Sequence, residues 1–364
     1  MRKHLFLLIY LTSTMVGLQS CNTQYAPGNW SWEELPAVPD DIGFAGAFAG
    51  TVDGGLVVAG GANFPDGKLP AAGGVKQWTD RVFRWEEQKQ RWTVLGRLPM
   101  ALGYGASASF DGKLYIAGGS HGGGHTDKVY CLRFSNTGVT SEELPQLPQT
   151  LANTGSVLVG AVWYVLGGIG TADAQYASNG CYALDLLQPN KGWQVCPPVP
   201  GKGRMLAVVG TDGEALYVFS GVALVAGQRE YLRDAYRYSS VDGWQPLPDL
   251  KSAVAAAPSP AYYGQGRFYI FGGDDGALVN MSSGRDHPGF SKLIRVFDPT
   301  VSRWSVAGEM TLSTQGATPH SSGKLEAPVT TTGVLSATGV TLVMGEVRPG
   351  IRTTRVLKGS MAKD

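Results

Sequence analysis

Short apolar runs that end in two small residues recur along the chain at intervals of about 50 to 60 residues. A run of about four to eight apolar residues that stops at glycine is typical of a buried β-strand followed by a tight turn. Five such runs end at Gly61, Gly119, Gly168, Gly221 and Gly273, and the first of them reads "LVVAGG". The pattern predicts an all-β protein built from a repeated unit.

Two further strands follow each of these runs. The first is a mixed stretch such as "RVFRW" or "DAYRYS". The second, which closes the unit, starts in successive copies at Trp92, Ser141, Trp193, Trp244 and Trp304. A sixth copy begins with "TLVMGE", ending at Glu346, and continues with "TTRVLKG", but no closing strand follows it. The segment "WEELPAVP" from Trp32 matches that strand, so the N-terminal strand is predicted to complete the last unit.

Units with a diglycine, a preceding aromatic residue and a closing tryptophan resemble kelch repeats, and they cover nearly all of residues 29–358. The resemblance implies a six-bladed kelch β-propeller over residues 29–364, whose last blade is closed by the N-terminal strand. Radial repetition of this kind leaves only short strand edges exposed. The 51 glycines and the 9 Trp, 15 Tyr and 12 Phe suit a fold of short strands and tight turns.

Charge changes this picture little. The chain has 30 basic and 29 acidic residues, and its formal net charge is +1. Nucleic-acid binding needs clustered lysine and arginine, and the sequence has no such stripe, so no nucleic-acid partner is expected. The sequence indicates no oligomeric state.

The N-terminus has the composition of a targeting segment. A basic start, "MRKH", precedes the apolar stretch "LFLLIYLTSTMVG", which is too short to span a bilayer comfortably. The next residues, "LQSCN", resemble the lipobox of bacterial lipoproteins. We therefore expect a signal peptide over residues 1–20, lipidation at Cys21 and a lipid-anchored tether over 21–28, with an ordinary cleaved signal peptide as the alternative. Either outcome predicts export, to the periplasm or as an outer-membrane lipoprotein of a bacterium, with membrane contact only through the anchor.

Three other cysteines are Cys131, Cys181 and Cys196, and their spacing is not that of a zinc site. Cys181 and Cys196 flank a turn-like segment and are predicted to face each other on paired strands. Export permits a disulfide there, and three buried thiols are the alternative.

Glu346 is a candidate functional residue because it ends the sixth run where the other five end in glycine. A local rule is often broken where function compensates for the cost. The following residues, "VRPGIRT", place Arg348 and Arg352 on the same connection, which in a propeller can line the mouth of the central channel. The alternative is a local Glu–Arg ion pair that closes a turn.

The stretch "GEVRPGIRT" resembles the signature of the N-acetylneuraminate epimerases, which are bacterial sialic acid mutarotases with six kelch blades. Further matching stretches are "GFAGAFAG" from Gly43, "GGANFPDGK" from Gly60 and "KLIRVFDPTVSRWSVAGE" from Lys292. In the best-known members the glutamate blade precedes the "FAGAFAG" blade. The order here is reversed, so the sequence resembles a cyclically permuted branch of that family.

The resemblance implies a mutarotase that interconverts the α and β anomers of N-acetylneuraminate, an acidic sugar, without a metal or other cofactor. In that reading Glu346 is the catalytic base and Arg352 binds the substrate's carboxylate. Asn63, Arg204 and Tyr104 are weaker substrate-binding candidates. Their alternatives are a turn asparagine, an ion pair between blades and a core tyrosine.

Two other interpretations stay open. His121 and His125 lie four residues apart in "SHGGGHTD", a spacing that can bind a metal on a helix, but a glycine-rich loop does not hold that geometry. The other is a non-catalytic kelch propeller that binds a glycan or protein partner at the cell envelope. Glu346 separates the two functions, because a binding module needs no base in its channel.

Overall fold

The computed structural model describes residues 29–69, 72–135, 138–281, 284, 286–313 and 325–362. Strands dominate this part of the chain, and its two helical segments are single 3-10 turns at Glu87–Lys89 and Pro189–Lys191. No helix in these ranges is long and apolar enough to cross a membrane. The predicted signal peptide, Cys21 and the tether lie outside the described residues.

The strands of the described ranges are short, and most have two to seven residues. In chain order they are β1 (Trp30–Leu35), β2 (Phe48–Val52), β3 (Gly55–Ala59), β4 (Ala62–Asn63), β5 (Gln77–Trp78), β6 (Arg81–Glu86), β7 (Arg91–Arg97), β8 (Ala106–Phe110), β9 (Lys113–Ala117), β10 (Ser120–His121), β11 (Gly124–His125), β12 (Val129–Phe134), β13 (Val139–Leu144), β14 (Gly155–Val159), β15 (Val162–Leu166), β16 (Cys181–Asp185), β17 (Gln194–Cys196), β18 (Val208–Thr211), β19 (Leu216–Val225), β20 (Gln228–Ser239), β21 (Gly243–Leu247), β22 (Tyr262–Gly264), β23 (Arg267–Phe271), β24 (Leu293–Asp298), β25 (Arg303–Glu309), β26 (Gly333–Ser336), β27 (Gly339–Arg348) and β28 (Ile351–Met361).

Six four-stranded antiparallel sheets form the blades of a propeller, which confirms the predicted fold. From the inner to the outer strand they are blade 1 (β2-β3-β6-β7), blade 2 (β8-β9-β12-β13), blade 3 (β14-β15-β16-β17), blade 4 (β18-β19-β20-β21), blade 5 (β22-β23-β24-β25) and blade 6 (β26-β27-β28-β1). The inner strands of blades 1 to 5 and of blades 6 and 1 contact one another around the axis. Two small hairpins, β4-β5 and β10-β11, lie outside the blades.

Blade 6 takes its outermost strand from the N-terminal end of the described chain, as predicted. β1 pairs antiparallel with β28, from Trp30 opposite Met361 to Leu35 opposite Val356. Trp32 is fully buried and its ring lies 5.2 Å from that of Phe271 in blade 5. Hydrophobic packing across the blade boundary therefore fixes the closing strand as firmly as its hydrogen bonds.

The closing tryptophans join neighbouring blades. The indole N–H of Trp92 donates to the carbonyl of Pro36 at 2.8 Å, and Pro36 follows the closing strand of blade 6. Trp193, Trp244 and Trp304 repeat the contact at 2.8 to 3.0 Å, with the carbonyls of Pro145, Pro197 and Pro248. The repeat position thus combines a large apolar contact with a satisfied polar group.

A closed cycle of six backbone hydrogen bonds surrounds the axis, and we call its members the central ring. Each blade supplies one residue, whose amide donates to the carbonyl of the corresponding residue in the preceding blade at 2.7 to 2.9 Å. The members are Gly46, Tyr104, Asn153, Leu206, Ala256 and Thr330, and all six have positive φ. The cycle ties all blades together independently of the borrowed strand.

The repeat register of blade 6 differs by one residue from the sequence prediction. The left-handed pair at the end of the second strand is Gly60–Gly61 in blade 1, with φ of 66° and 99°, and Met344–Gly345 in blade 6, with φ of 59° and 119°. Glu346 therefore does not replace a glycine. Ser220 in blade 4 and Met344 in blade 6 stand where the other blades have the first glycine, and Met344 is the larger of the two. Met344 is fully buried, so core packing offsets the strain of its left-handed backbone.

Cys181 and Cys196 are opposite each other on β16 and β17, as predicted. Both are free thiols, as is Cys131; Cys131 and Cys181 are buried, and Cys196 is half-buried. The contact with Cys196, together with burial, raises the pKa of the Cys181 thiol. The alternative of unbridged thiols is therefore the one observed.

Candidate functional site

The residue after each diglycine pair occupies the same place in every blade. It forms an isolated β-bridge with the residue that precedes a central-ring member, and the six bridged residues are Ala62, Ser120, Ile169, Val222, Asp274 and Glu346. Five of these six positions carry small, apolar or short polar side chains. Glu346 has a longer side chain than Asp274, the other carboxylate of the set, and lies beside the axis.

A cavity of about 750 Å³ opens on this side of the central ring, within the size range of small-molecule sites. We call it the large cavity. Five ring members form its floor, and the same five also line a smaller void of about 80 Å³, so the ring separates the two spaces. The walls of the large cavity include Lys76, Trp78, Tyr104, Ser120, His121, His125, Arg229, Asp274, Phe290, Glu346, Pro349 and Arg352.

Glu346 and Arg352 are cross-strand partners in the β27-β28 hairpin, whose tip is Pro349–Gly350. Gly350 has φ of 84°, which suits the second central position of a tight Pro-Gly turn. The predicted connection is therefore a tight hairpin. Its local geometry explains the spacing in "GEVRPGIRT", because the two-residue turn and the register shift between Glu346 and Arg348 together place Glu346 opposite Arg352.

Each oxygen of the Glu346 carboxylate has its own contact. Oε1 accepts a hydrogen bond from the Gly350 amide at 2.8 Å, and Oε2 forms an ion pair with Nη1 of Arg352, also at 2.8 Å. The side chain keeps 19% of its surface exposed, and that exposure faces the large cavity. The two contacts hold the carboxylate in place at the cavity wall, where it can meet a bound molecule.

Arg352 connects three blades. Beyond Glu346, its Nη2 donates to the hydroxyl of Tyr104 at 3.4 Å and its Nε to the carbonyl of Ala62 at 3.4 Å. The guanidinium also lies 5.3 Å from the ring centroid of Phe64, and the side chain is only 3% exposed. Arg352 is therefore a buried anchor for the carboxylate of Glu346.

Two other predicted residues, Tyr104 and Asn63, lie close to this pair, but their contacts differ. Tyr104 is a central-ring member with φ of 61°, and its hydroxyl faces Arg352. Asn63 is buried beside it, but its amide donates to the carbonyl of Gly43 at 3.1 Å and it does not line the large cavity. Asn63 lies on strand β4, so the structure places it neither in a turn nor in the cavity lining. Arg348 pairs with Glu326 at 2.5 Å, away from the cavity lining.

Arg204 is not brought to the cavity. Its side chain is fully buried in blade 4, where the guanidinium binds both carboxylate oxygens of Asp234 at 2.8 Å. It also donates to the carbonyls of Ser220 at 3.1 Å and Pro200 at 3.2 Å. Asp234 belongs to the same blade, so the contact is an ion pair within one blade. The alternative stated from the sequence was an ion pair between two blades.

The two histidines line the large cavity on the β10-β11 hairpin. Nδ1 of His121 accepts from the Gly123 amide at 3.0 Å, and Nδ1 of His125 lies 3.2 Å from the carbonyl oxygen of Ile169 and donates to it. Burial lowers the pKa of His125 and so favours its neutral form. The described residues contain no group of three or more His, Cys, Asp and Glu side chains arranged to hold a metal ion.

Sequence reasoning missed Lys76, Trp78 and Asp274. Asp274 is the blade 5 counterpart of Glu346, and it accepts from the Tyr231 hydroxyl at 2.8 Å. Alignment of the diglycine pairs in the correct register would have found Asp274. Lys76 and Trp78 follow a long insertion that is not part of the repeated strands, so the repeat carries no signal for them.

Comparison with known proteins adds a family to this geometry. The model of the family described as N-acetylneuraminate epimerase matches residues 15–140 and 144–364. The N-acetylneuraminate epimerase of Haemophilus influenzae (strain 86-028NP) is 36% identical over 124 residues, which is 30% of this chain and 32% of that protein. The chain thus matches about a third of the length of this curated relative.

Two other similarities are broader and more distant. A kelch domain-containing protein of Vibrio cholerae is 25% identical over 245 residues, covering 59% of this chain and 63% of that protein. The solved structure of YjhT superposes with a TM-score of 0.65 at 16% identity, covering 89% of this chain and 96% of that one. At this identity the structural likeness shows the fold alone.

Proposed function

We propose that this chain, which belongs to the N-acetylneuraminate epimerase family, interconverts the α and β anomers of N-acetylneuraminate in the large cavity. The observation that carries the proposal is the Glu346 carboxylate, which two donors hold at the cavity wall while part of it stays accessible. A sugar-binding surface has no need of a carboxylate base held in this way beside the axis.

Mutarotation requires ring opening, rotation and reclosure. Glu346 takes the proton of the anomeric hydroxyl, the bond between the anomeric carbon and the ring oxygen breaks, and the ring oxygen gains a proton from water or a cavity donor. The anomeric carbon becomes a ketone. Rotation about the adjacent carbon–carbon bond turns its other face to the released hydroxyl. That hydroxyl attacks the ketone and recloses the ring, and its proton returns to the water or cavity donor that supplied it. Glu346 then returns its proton to the new anomeric oxygen.

Arg352 supports this cycle through its charge and its contacts. By pairing with Oε2 it orients the base, and its positive charge faces the wall where an acidic substrate binds. Tyr104 completes the support, since its hydroxyl accepts from the same guanidinium. The proposal keeps Arg352 and Tyr104 in the site and leaves Arg204 and Asn63 to the scaffold.

Export is a separate proposal that rests on residues 1–28. Their basic start, apolar core and "LQSC" motif support secretion with lipidation at Cys21. An exported mutarotase would act on sialic acid released outside the cytoplasm, where the α anomer is the form to be converted.

The test is an NMR time course on freshly released α-N-acetylneuraminate. The wild-type protein should equalise the anomers faster than buffer, and Glu346→Gln should lose roughly 10²- to 10⁴-fold of that acceleration. Glutamine keeps the shape and the Gly350 hydrogen bond but cannot take the proton. Glu326→Gln is the matched control, because it neutralises another glutamate paired with an arginine of the same hairpin.

The outcomes separate the rival functions. A wild-type protein that binds the sugar but never exceeds the buffer rate would be a binding module, the alternative left open by the sequence. Full activity in Glu346→Gln would overturn the base assignment and leave the family membership intact.

A further inference from the structure

The nitrogens of Arg352 are already engaged by the protein. Glu346, Tyr104 and Ala62 each contact one of its three guanidinium nitrogens, at 2.8, 3.4 and 3.4 Å, and the side chain is almost entirely buried. A substrate carboxylate could take both Nη atoms only by displacing Glu346. Displacement would free the base from its anchor during the step that needs it, so a second cation is required.

Lys76 meets that requirement. It lines the large cavity, and its ammonium lies 4.7 Å from the ring centroid of Tyr104 and 5.8 Å from that of Trp78. Among the described residues no carboxylate lies within ion-pair distance of it, whereas Lys89, Lys113 and Lys128, for example, each have an acidic partner. Lys76 is thus a cation without a protein counter-charge, held on aromatic faces inside the cavity.

The local structure connects this ammonium to the base through Tyr104 and Arg352. β5 pairs with β4 so that Trp78 is opposite Ala62, the residue whose carbonyl contacts Arg352. The indole N–H of Trp78 donates to the Ser120 hydroxyl at 3.0 Å, which fixes the ring beside Lys76. Tyr104 is shared: its hydroxyl faces Arg352 and its ring carries the Lys76 ammonium.

Resting on the proposed function, we propose that Lys76 binds the carboxylate of the acidic sugar. That carboxylate is attached to the anomeric carbon, one bond from the hydroxyl that Glu346 deprotonates. Its partner must therefore lie near Glu346 without sharing the partner of Glu346. An ammonium on a flexible stem can move from the Tyr104 ring to the carboxylate, and its charge offsets the repulsion between the two carboxylates.

The experiment compares N-acetylneuraminate with its neutral methyl ester. Lys76→Met should raise KM for the acid roughly 10- to 100-fold, as expected for loss of a charge-assisted contact, with kcat changed only a few-fold and the ester unaffected. Lys76→Arg should restore most of the affinity. Lys68→Met is the matched control, because Lys68 belongs to the same insertion, is exposed and does not line the cavity.

Three results would overturn the inference. They are an unchanged KM for the acid in Lys76→Met, an equal loss for acid and ester, and a selective loss of the acid in Arg229→Met instead. A wild-type protein without activity would defeat the proposed function alone. Calorimetric titration of acid and ester then decides on Lys76, since tighter binding of the acid by wild type, abolished in Lys76→Met, still supports its role.

Discussion

Two arginine–carboxylate pairs of this propeller have similar contacts and different surroundings. In blade 4, Arg204 binds Asp234 through both Nη atoms at 2.8 Å and is fully buried. In blade 6, Arg352 contacts Glu346 at 2.8 Å, and the carboxylate keeps 19% of its side-chain surface exposed beside the large cavity. A buried arginine alone therefore does not mark a site, and neither does exposure of its partner, because Asp234 keeps 26% of its side-chain surface exposed. Glu346 differs because it lines the large cavity, whereas Asp234 does not.

The repeat explains why the pairs differ. The carbonyl of Arg204 accepts from Gly168, just as the carbonyls of Leu102 and Leu151 accept from Gly61 and Gly119 in other blades. Arg204 thus fills a repeat position that carries a buried leucine in blades 2 and 3 and the buried Phe44 in blade 1. Its charge requires a partner within the blade, and Asp234 supplies it.

The largest effect should come from breaking the buried pair. Arg204→Met removes a fully buried guanidinium and its hydrogen bonds to Asp234, Ser220 and Pro200, so we expect the free energy of unfolding to fall by about 3 kcal/mol. The kcat of the folded fraction should stay within about two-fold of wild type. Chemical denaturation and the anomer time course measure the two quantities.

A double variant sharpens this result. Arg204→Met with Asp234→Leu removes both charges, and it should recover at least part of the lost stability because the buried charge is gone. A double variant that is less stable than Arg204→Met would contradict the view that the pair is a scaffold contact.

A smaller effect on folding and a large one on rate is expected at the other pair. Arg352→Met should lower kcat roughly 10²-fold, since it removes the electrostatic partner that orients the base. The unfolding free energy should fall by only about 1 kcal/mol, because Glu346 can still be solvated from the cavity. If Arg352→Met loses stability as strongly as Arg204→Met and keeps its kcat, the distinction between the two pairs fails.

The smallest expected effect is on the pH dependence of stability, and it concerns His125 at the cavity wall. Burial lowers the pKa of His125 from its ordinary value of 6.5, so the folded protein binds that proton less readily than the unfolded chain. Its contribution to stability is therefore present above about pH 6.5 and is lost as the pH falls below that value. His125→Asn should keep the contact with Ile169 and flatten the stability profile in this window. An unchanged slope between pH 6.5 and 5 would refute this account.

The sequence predicted the blades and the acid–arginine pair because both depend on local patterns. Strand runs, closing tryptophans and the N-terminal strand repeat visibly, and a Pro-Gly turn fixes the separation of Glu346 and Arg352. The diglycine register failed because Met344 adopts a left-handed conformation that usually signals glycine. The positions of Lys76 and the histidine hairpin at the cavity were not predicted. Insertions from different blades come together only in the folded protein, and the repeat pattern of the sequence contains no sign of that contact.

The central ring gives this architecture a consequence for its chain ends. All six hydrogen bonds run in one rotational sense and involve no residue near either terminus. The central ring therefore does not depend on where the polypeptide chain is cut. New chain ends at any outer turn would leave the neighbours of every blade and the surroundings of Glu346 unchanged. Loss or gain of one blade would instead leave one amide and one carbonyl at the axis without their partners. The central ring therefore fixes the number of blades, while the blade at which the chain starts is free to change.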